Sequence, residues 1–78
     1  MNYYEAAVLM DDQFGWDVCM LHTEETGKIK VTRPDDEVVY YTKSEFEEVA
    51  LEMWETAKSN GLDPEIIKEV EESYFKLS

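Results

Sequence analysis

The sequence predicts an α+β fold, a four-stranded antiparallel β-meander followed by two C-terminal helices packed on one of its faces. Two observations carry this prediction. Apolar residues in the second half recur with the 3.6-residue period of a helix. The first half instead breaks into short runs rich in β-branched and aromatic residues, separated by turn formers. A chain of 78 residues is sized for one domain, 1–78, with one core. Hydrophobic residues at 44% and aromatics at 13% are enough to close that core and argue against a disordered tail.

The first stretch, YYEAAVLM (3–10), carries two signals. Asn2 and Glu5 could cap a helix, and Ala, Leu and Met favour one. DDQFG (11–15) is good hairpin punctuation and a meander supplies both neighbours, so 3–10 is assigned to a strand. WDVCMLHT (16–23), KIKVT (28–32) and VVYYT (38–42) follow as strands, with TGK and RPDDE as turns. Ile29 and Val31 alternate with Lys28, Lys30 and Thr32, which gives that strand one wet face. Trp16 and Tyr40 are expected in the core, with Tyr3 or Tyr41 on the exposed sheet face.

Thr42 and Ser44 each stand three residues before a glutamate, Glu45 and Glu47, so either pair can form the capping box that opens a helix. Phe46, Val49, Ala50, Met53, Trp54 and Ala57 then form one apolar stripe. Gly61 is placed to end this helix in the left-handed conformation, with Leu62 folding back toward Ala57. Asp63 caps a second helix with Pro64 at its first position and Leu62 stapled against Ile67. Its apolar face is Ile66, Ile67, Val70, Tyr74 and Leu77.

Charge and residue types exclude several chemistries. The 19 acidic against 7 basic residues give a formal net charge of -12, which repels nucleic acid and anionic membrane and attracts a basic protein surface. Nine acids and three bases precede Thr42, and ten acids and four bases follow it, so the acidity is spread over the fold. Cys19 is the single cysteine, which points to a reducing, cytoplasmic setting. No basic leader or apolar span is present in the sequence. Cys19 and His22, three apart on a strand, would face opposite ways and could not act as nucleophile and base. They are also too few ligands for zinc. The carboxylates of DDQFGWD and PDDE do not follow the calcium-loop pattern, and TGK lacks the glycine of a phosphate loop. The expectation is a non-catalytic protein without metal or cofactor.

The remaining feature is a row of acids. Glu45, Glu48, Glu52 and Glu55 cluster opposite the apolar stripe, on a ridge about 15 Å long at about 1.5 Å per residue. Their successive like-charge pairs cost an isolated helix roughly 1 kcal/mol in sum, and only Lys58 offers relief. The second helix offsets its acids better, with Lys68 after Glu65 and Lys76 after Glu72. One reading is a solvated face that keeps the protein soluble. The other is a line of carboxylates spaced somewhat like phosphates, which a basic nucleic-acid groove would accept. A second candidate surface gathers Asp11, Asp12 and Phe14 in DDQFG, with Tyr3 or Tyr41 as an exposed aromatic anchor and Asp35 and Asp36 in RPDDE as further acidic contacts.

In its size, lone cysteine, even acidity and Glu45, Glu48, Glu52, Glu55 row, the chain resembles the small acidic inhibitors that bacteriophages encode, including nucleic-acid mimics and anti-CRISPR proteins. That resemblance implies an inhibitor that occupies the basic site of a nucleic-acid-binding protein or nuclease, with no direct contact to nucleic acid or membrane. The alternative is a regulatory or structural interaction domain, homodimeric through a sheet edge, or an immunity- or antitoxin-type protein.

Overall fold

The computed structural model describes residues 2–75. The expected Glu72–Lys76 offset and the apolar position Leu77 lie outside the described residues. Among the described residues the chain forms four helices and a three-stranded antiparallel sheet, in place of the expected four strands and two helices.

The largest correction is at the start. Residues 3–10 are helical, within α1 (Tyr3–Phe14). Asn2 and Glu5 form a reciprocal capping box, the Glu5 N–H donating to Asn2 Oδ1 at 2.8 Å and the Asn2 N–H to Glu5 Oε1 at 3.1 Å. Ala6, Ala7, Leu9 and Met10 then bury one helical face. Gly15, with φ of +71°, closes the helix, so DDQFG ends a helix instead of turning a hairpin. Two local signals, the cap and helix-forming side chains on one stripe, outweigh the β preference of Tyr3 and Tyr4.

The expected strand 16–23 is also cut short. Only Asp17–Cys19 form β1, and Met20–Thr26 form α2. Met20, Leu21, Glu24 and Glu25 are good helix formers. The Thr23 hydroxyl donates to the Cys19 carbonyl at 3.2 Å and the Thr26 hydroxyl to the His22 carbonyl at 2.9 Å, both bonds spanning one helical turn. Cys19 and His22 therefore do not share a strand. Cys19 is exposed at the start of α2, and the His22 ring packs beside Tyr40 with centroids 5.5 Å apart.

β2 (Ile29–Thr32) and β3 (Val38–Tyr41) form the hairpin, with β2 central in the order β1–β2–β3. Ile29 pairs with Tyr41, and Val31 pairs with both Val39 and Val18, so these five residues share the core face. Lys30 and Thr32 take the other face, as their alternation predicts. The register reverses the expectation for two tyrosines. Tyr40 points outward and is 54% exposed, while Tyr41 turns inward and stacks on Trp16 at 6.2 Å. Trp16 is buried as expected.

In the β2–β3 turn, the Asp36 N–H donates to the Arg33 carbonyl and the Arg33 N–H to the Glu37 carbonyl, each at 2.9 Å. Asp36 occupies the left-handed region, with φ of +68°. An L side chain there costs roughly 1 kcal/mol, partly offset in glycine by its greater loss of chain entropy. D36G is expected to raise stability by about 0.5 kcal/mol, read as a higher urea midpoint.

α3 (Lys43–Ser59) opens on the Thr42–Glu45 box, the first of the two expected alternatives. Phe46, Ala50 and Trp54 are fully buried on its expected stripe. Gly61, with φ of +92°, turns the chain into α4 (Pro64–Val70), where the Asp63 carboxylate accepts the Glu65 N–H at 2.9 Å. A π-helical segment, Glu71–Phe75, follows.

α1 and α3 lie on the same face of the sheet. Ala6, Ala7, Met10, Phe46 and Ala50 pack with Trp16, Ile29 and Val31 in one cluster. α4 takes a different place from the expected one, packing on α1 and α3 where Leu9, Trp54 and Val70 meet. Leu62, Ile67 and Ala57 join that second cluster, and Ile66, expected on the apolar face, is 40% exposed.

Candidate functional site

The acidic ridge is present on α3, and its four carboxylates are not equivalent. Glu45 Oε1 accepts the Thr42 N–H at 2.9 Å, while the Glu45 N–H donates to the Thr42 hydroxyl at 3.1 Å. The bond from the Thr42 backbone holds the Glu45 carboxyl below the usual carboxylate range. With the folded pKa below the unfolded one, its contribution is full above the unfolded value and is lost as pH falls through the folded value. E45Q should therefore flatten the acid limb of stability against pH. T42A should cost about 1 kcal/mol in urea denaturation.

Glu55 sits 3.0 Å from Lys58 Nζ, which also reaches Glu71 at 2.9 Å. Glu71 raises the Lys58 pKa above the ordinary lysine value, and Lys58 holds Glu71 below the carboxylate range. Trp54 Nε1 donates to the same Glu71 oxygen at 3.3 Å. Glu55 is thus partly neutralised by a bridge that ties α3 to the π-helical segment.

Glu48 and Glu52 are different. Both are exposed, they stand one helical turn apart, and among the described residues neither makes a hydrogen bond or ion pair. Leu51 lies between them in sequence and is 45% exposed. Two shallow grooves run along this face and share Leu51 and Glu52. One adds Tyr41, Glu45, Glu48 and Val49, and the other adds Phe14, Met53 and Glu55 among its walls. The Tyr41 hydroxyl accepts from Arg33 Nη2 at 2.8 Å, and the Arg33 guanidinium lies 5.2 Å over the Trp16 ring, so that end of the groove is anchored to the core.

The other expected contacts divide. Phe14 is half-buried against the first core cluster and joins Glu52 and Glu55 at the second groove. Asp12 accepts a hydrogen bond from the Tyr74 hydroxyl, which pushes the Tyr74 pKa up and commits Asp12 to holding the π-helical segment. Asp11 lines a separate groove between α1 and β1. Asp35 and Asp36 belong to the β2–β3 turn, where Asp35 Oδ1 accepts the Glu37 N–H at 3.1 Å. Leu51 was missed as a site residue, and Tyr41, expected as an aromatic anchor on the exposed sheet face, turns inward and lines the first groove from the core side. Leu51 has a readable signal, a leucine set among the acids on the side opposite the apolar stripe.

Among the described residues no three His, Cys, Asp or Glu side chains gather to hold a metal ion. No helix among them is long and apolar enough to cross a membrane. No protein-family model matches the chain, and no curated protein or solved structure is significantly similar to it.

Proposed function

We propose that this protein is a non-catalytic inhibitor whose α3 ridge occupies the basic site of a nucleic-acid-binding protein or nuclease. The observation that carries the reading is the pair Glu48 and Glu52, exposed and unpaired among the described residues, beside the exposed Leu51. Unpaired like charges one turn apart oppose helix formation, so an arginine-rich partner relieves a repulsion as well as forming charge-assisted bonds. The net charge of -12 adds long-range attraction that speeds encounter. Leu51 and Phe14 supply apolar contact beside the charges, where a purely hydrating surface would need none.

Capture on the immobilised protein at low salt, followed by elution between about 0.1 and 0.5 M salt, tests this reading. A nucleic-acid-binding protein released in that window supports it. A captured partner that is neutral or acidic where it touches the ridge overturns it.

A further inference from the structure

A second surface on α1 shares no lining residue with the two grooves along the ridge. Tyr4 and Val8, one helical turn apart, are 55% and 41% exposed, an apolar pair that neither core cluster covers. They border a groove whose other wall is β1, lined there by Asp17 and Val18 and closed by Met20 and Asp11. Val18 pairs with Val31 on the core face of the sheet, whereas Asp17 pairs with Thr32 on the opposite face. Residues from both faces of one strand line a single groove where the groove passes that strand's open edge or end. β1 is indeed an edge strand, paired with β2 alone.

We infer that this groove binds an extended segment of a partner protein as a fourth strand on β1, with alternating apolar and Lys or Arg side chains. The backbone of β1 offers its unpaired hydrogen-bonding groups, as sheet edges do in strand addition. Alternate side chains of the added strand would fall on opposite faces. Apolar ones enter between Val18 and the overhanging Tyr4 and Val8, completing the cover of α1. Cationic ones meet Asp17 on the outer face, and one at the strand end reaches Asp11. Both acids are exposed, and neither makes a side-chain hydrogen bond or ion pair among the described residues. The same charges oppose a second copy of this chain, which would bring a further -12 to an acidic edge.

The test uses a nine-residue peptide alternating valine and lysine, a same-composition peptide with its lysines in one block, and the alternating peptide N-methylated at every second residue. The alternating peptide should bind and slow amide hydrogen exchange in β1. N-methylation, which removes donors from one edge, should weaken binding at least tenfold, as should blocking the lysines. D11K/D17K and V8K should each weaken it at least tenfold with circular dichroism unchanged, while E48K/E52K should leave it within about twofold. Any one of four results would overturn the inference: equal binding of the three peptides, loss of binding in E48K/E52K, no slowing of exchange in β1, or β1-mediated dimers of the protein alone.

Discussion

Replacing Trp54 with alanine is expected to remove about 3–5 kcal/mol of stability, read as a much lower urea midpoint. Trp54 is fully buried at the junction of α1, α3 and α4, against Leu9 and Val70. Its indole N–H also donates to Glu71, the carboxylate that holds Lys58. Truncating a buried tryptophan costs about 3–5 kcal/mol, the lost transfer energy plus the cavity. A chain of this length has a total stability of roughly 4–12 kcal/mol at about 0.05–0.15 kcal/mol per residue. The loss is therefore a large share of the whole, and α4 loses its seat on the other helices. W54F keeps most of the ring volume and loses the bond to Glu71, so about 1–2 kcal/mol is expected. Urea denaturation followed by circular dichroism separates the two. Equal midpoints for W54A and the wild type would mean that the second cluster does not hold the helices together.

The second large effect concerns binding and leaves folding alone. E48K/E52K should reduce partner affinity at least tenfold, a change of about 1.4 kcal/mol or more, with most of the salt dependence lost as well. Both side chains are exposed and make no hydrogen bond or ion pair among the described residues, and each lysine would stand within one turn of a remaining glutamate, so the helix should be slightly stabilised. Glu55 is left in place because Lys58 holds it, and reversing it would disturb the bridge to Glu71. Surface plasmon resonance at two salt concentrations, with the captured partner, reads both quantities. Unchanged affinity in a folded E48K/E52K variant would remove the ridge from the interface.

How much was legible depends on how local the signals are. α3 and α4 were readable because caps, stripe and stop lie within one turn of each other: Thr42 with Glu45, Asp63 with Pro64, and Gly61 at the corner. α1 carries an equally local signal in Asn2 and Glu5, but DDQFG also reads as hairpin punctuation and a meander supplies both neighbours, which points to a strand. α2 was hidden because Cys19 gives no side-chain cap and Thr23 and His22 have no strong preference for helix. The inward and outward tyrosines are expected the wrong way round, Tyr40 in and Tyr41 out, because their faces depend on the pairing of Ile29 with Tyr41, a contact set by tertiary packing. The site divided in the same way. The exposed row on α3 followed from its period, while the separate engagements of Glu45, Glu55 and Asp12 required the fold.

Displacement of nucleic acid tests the proposed inhibition most directly. A labelled oligonucleotide is bound to the captured partner, and its anisotropy is followed as this protein is added. Wild-type protein should release the oligonucleotide completely and at stoichiometric amounts, and E48K/E52K should fail to do so at tenfold higher concentration. A stable ternary complex, with the oligonucleotide still bound while the wild-type protein is seated on the partner, would contradict occupation of the basic site by the α3 carboxylates.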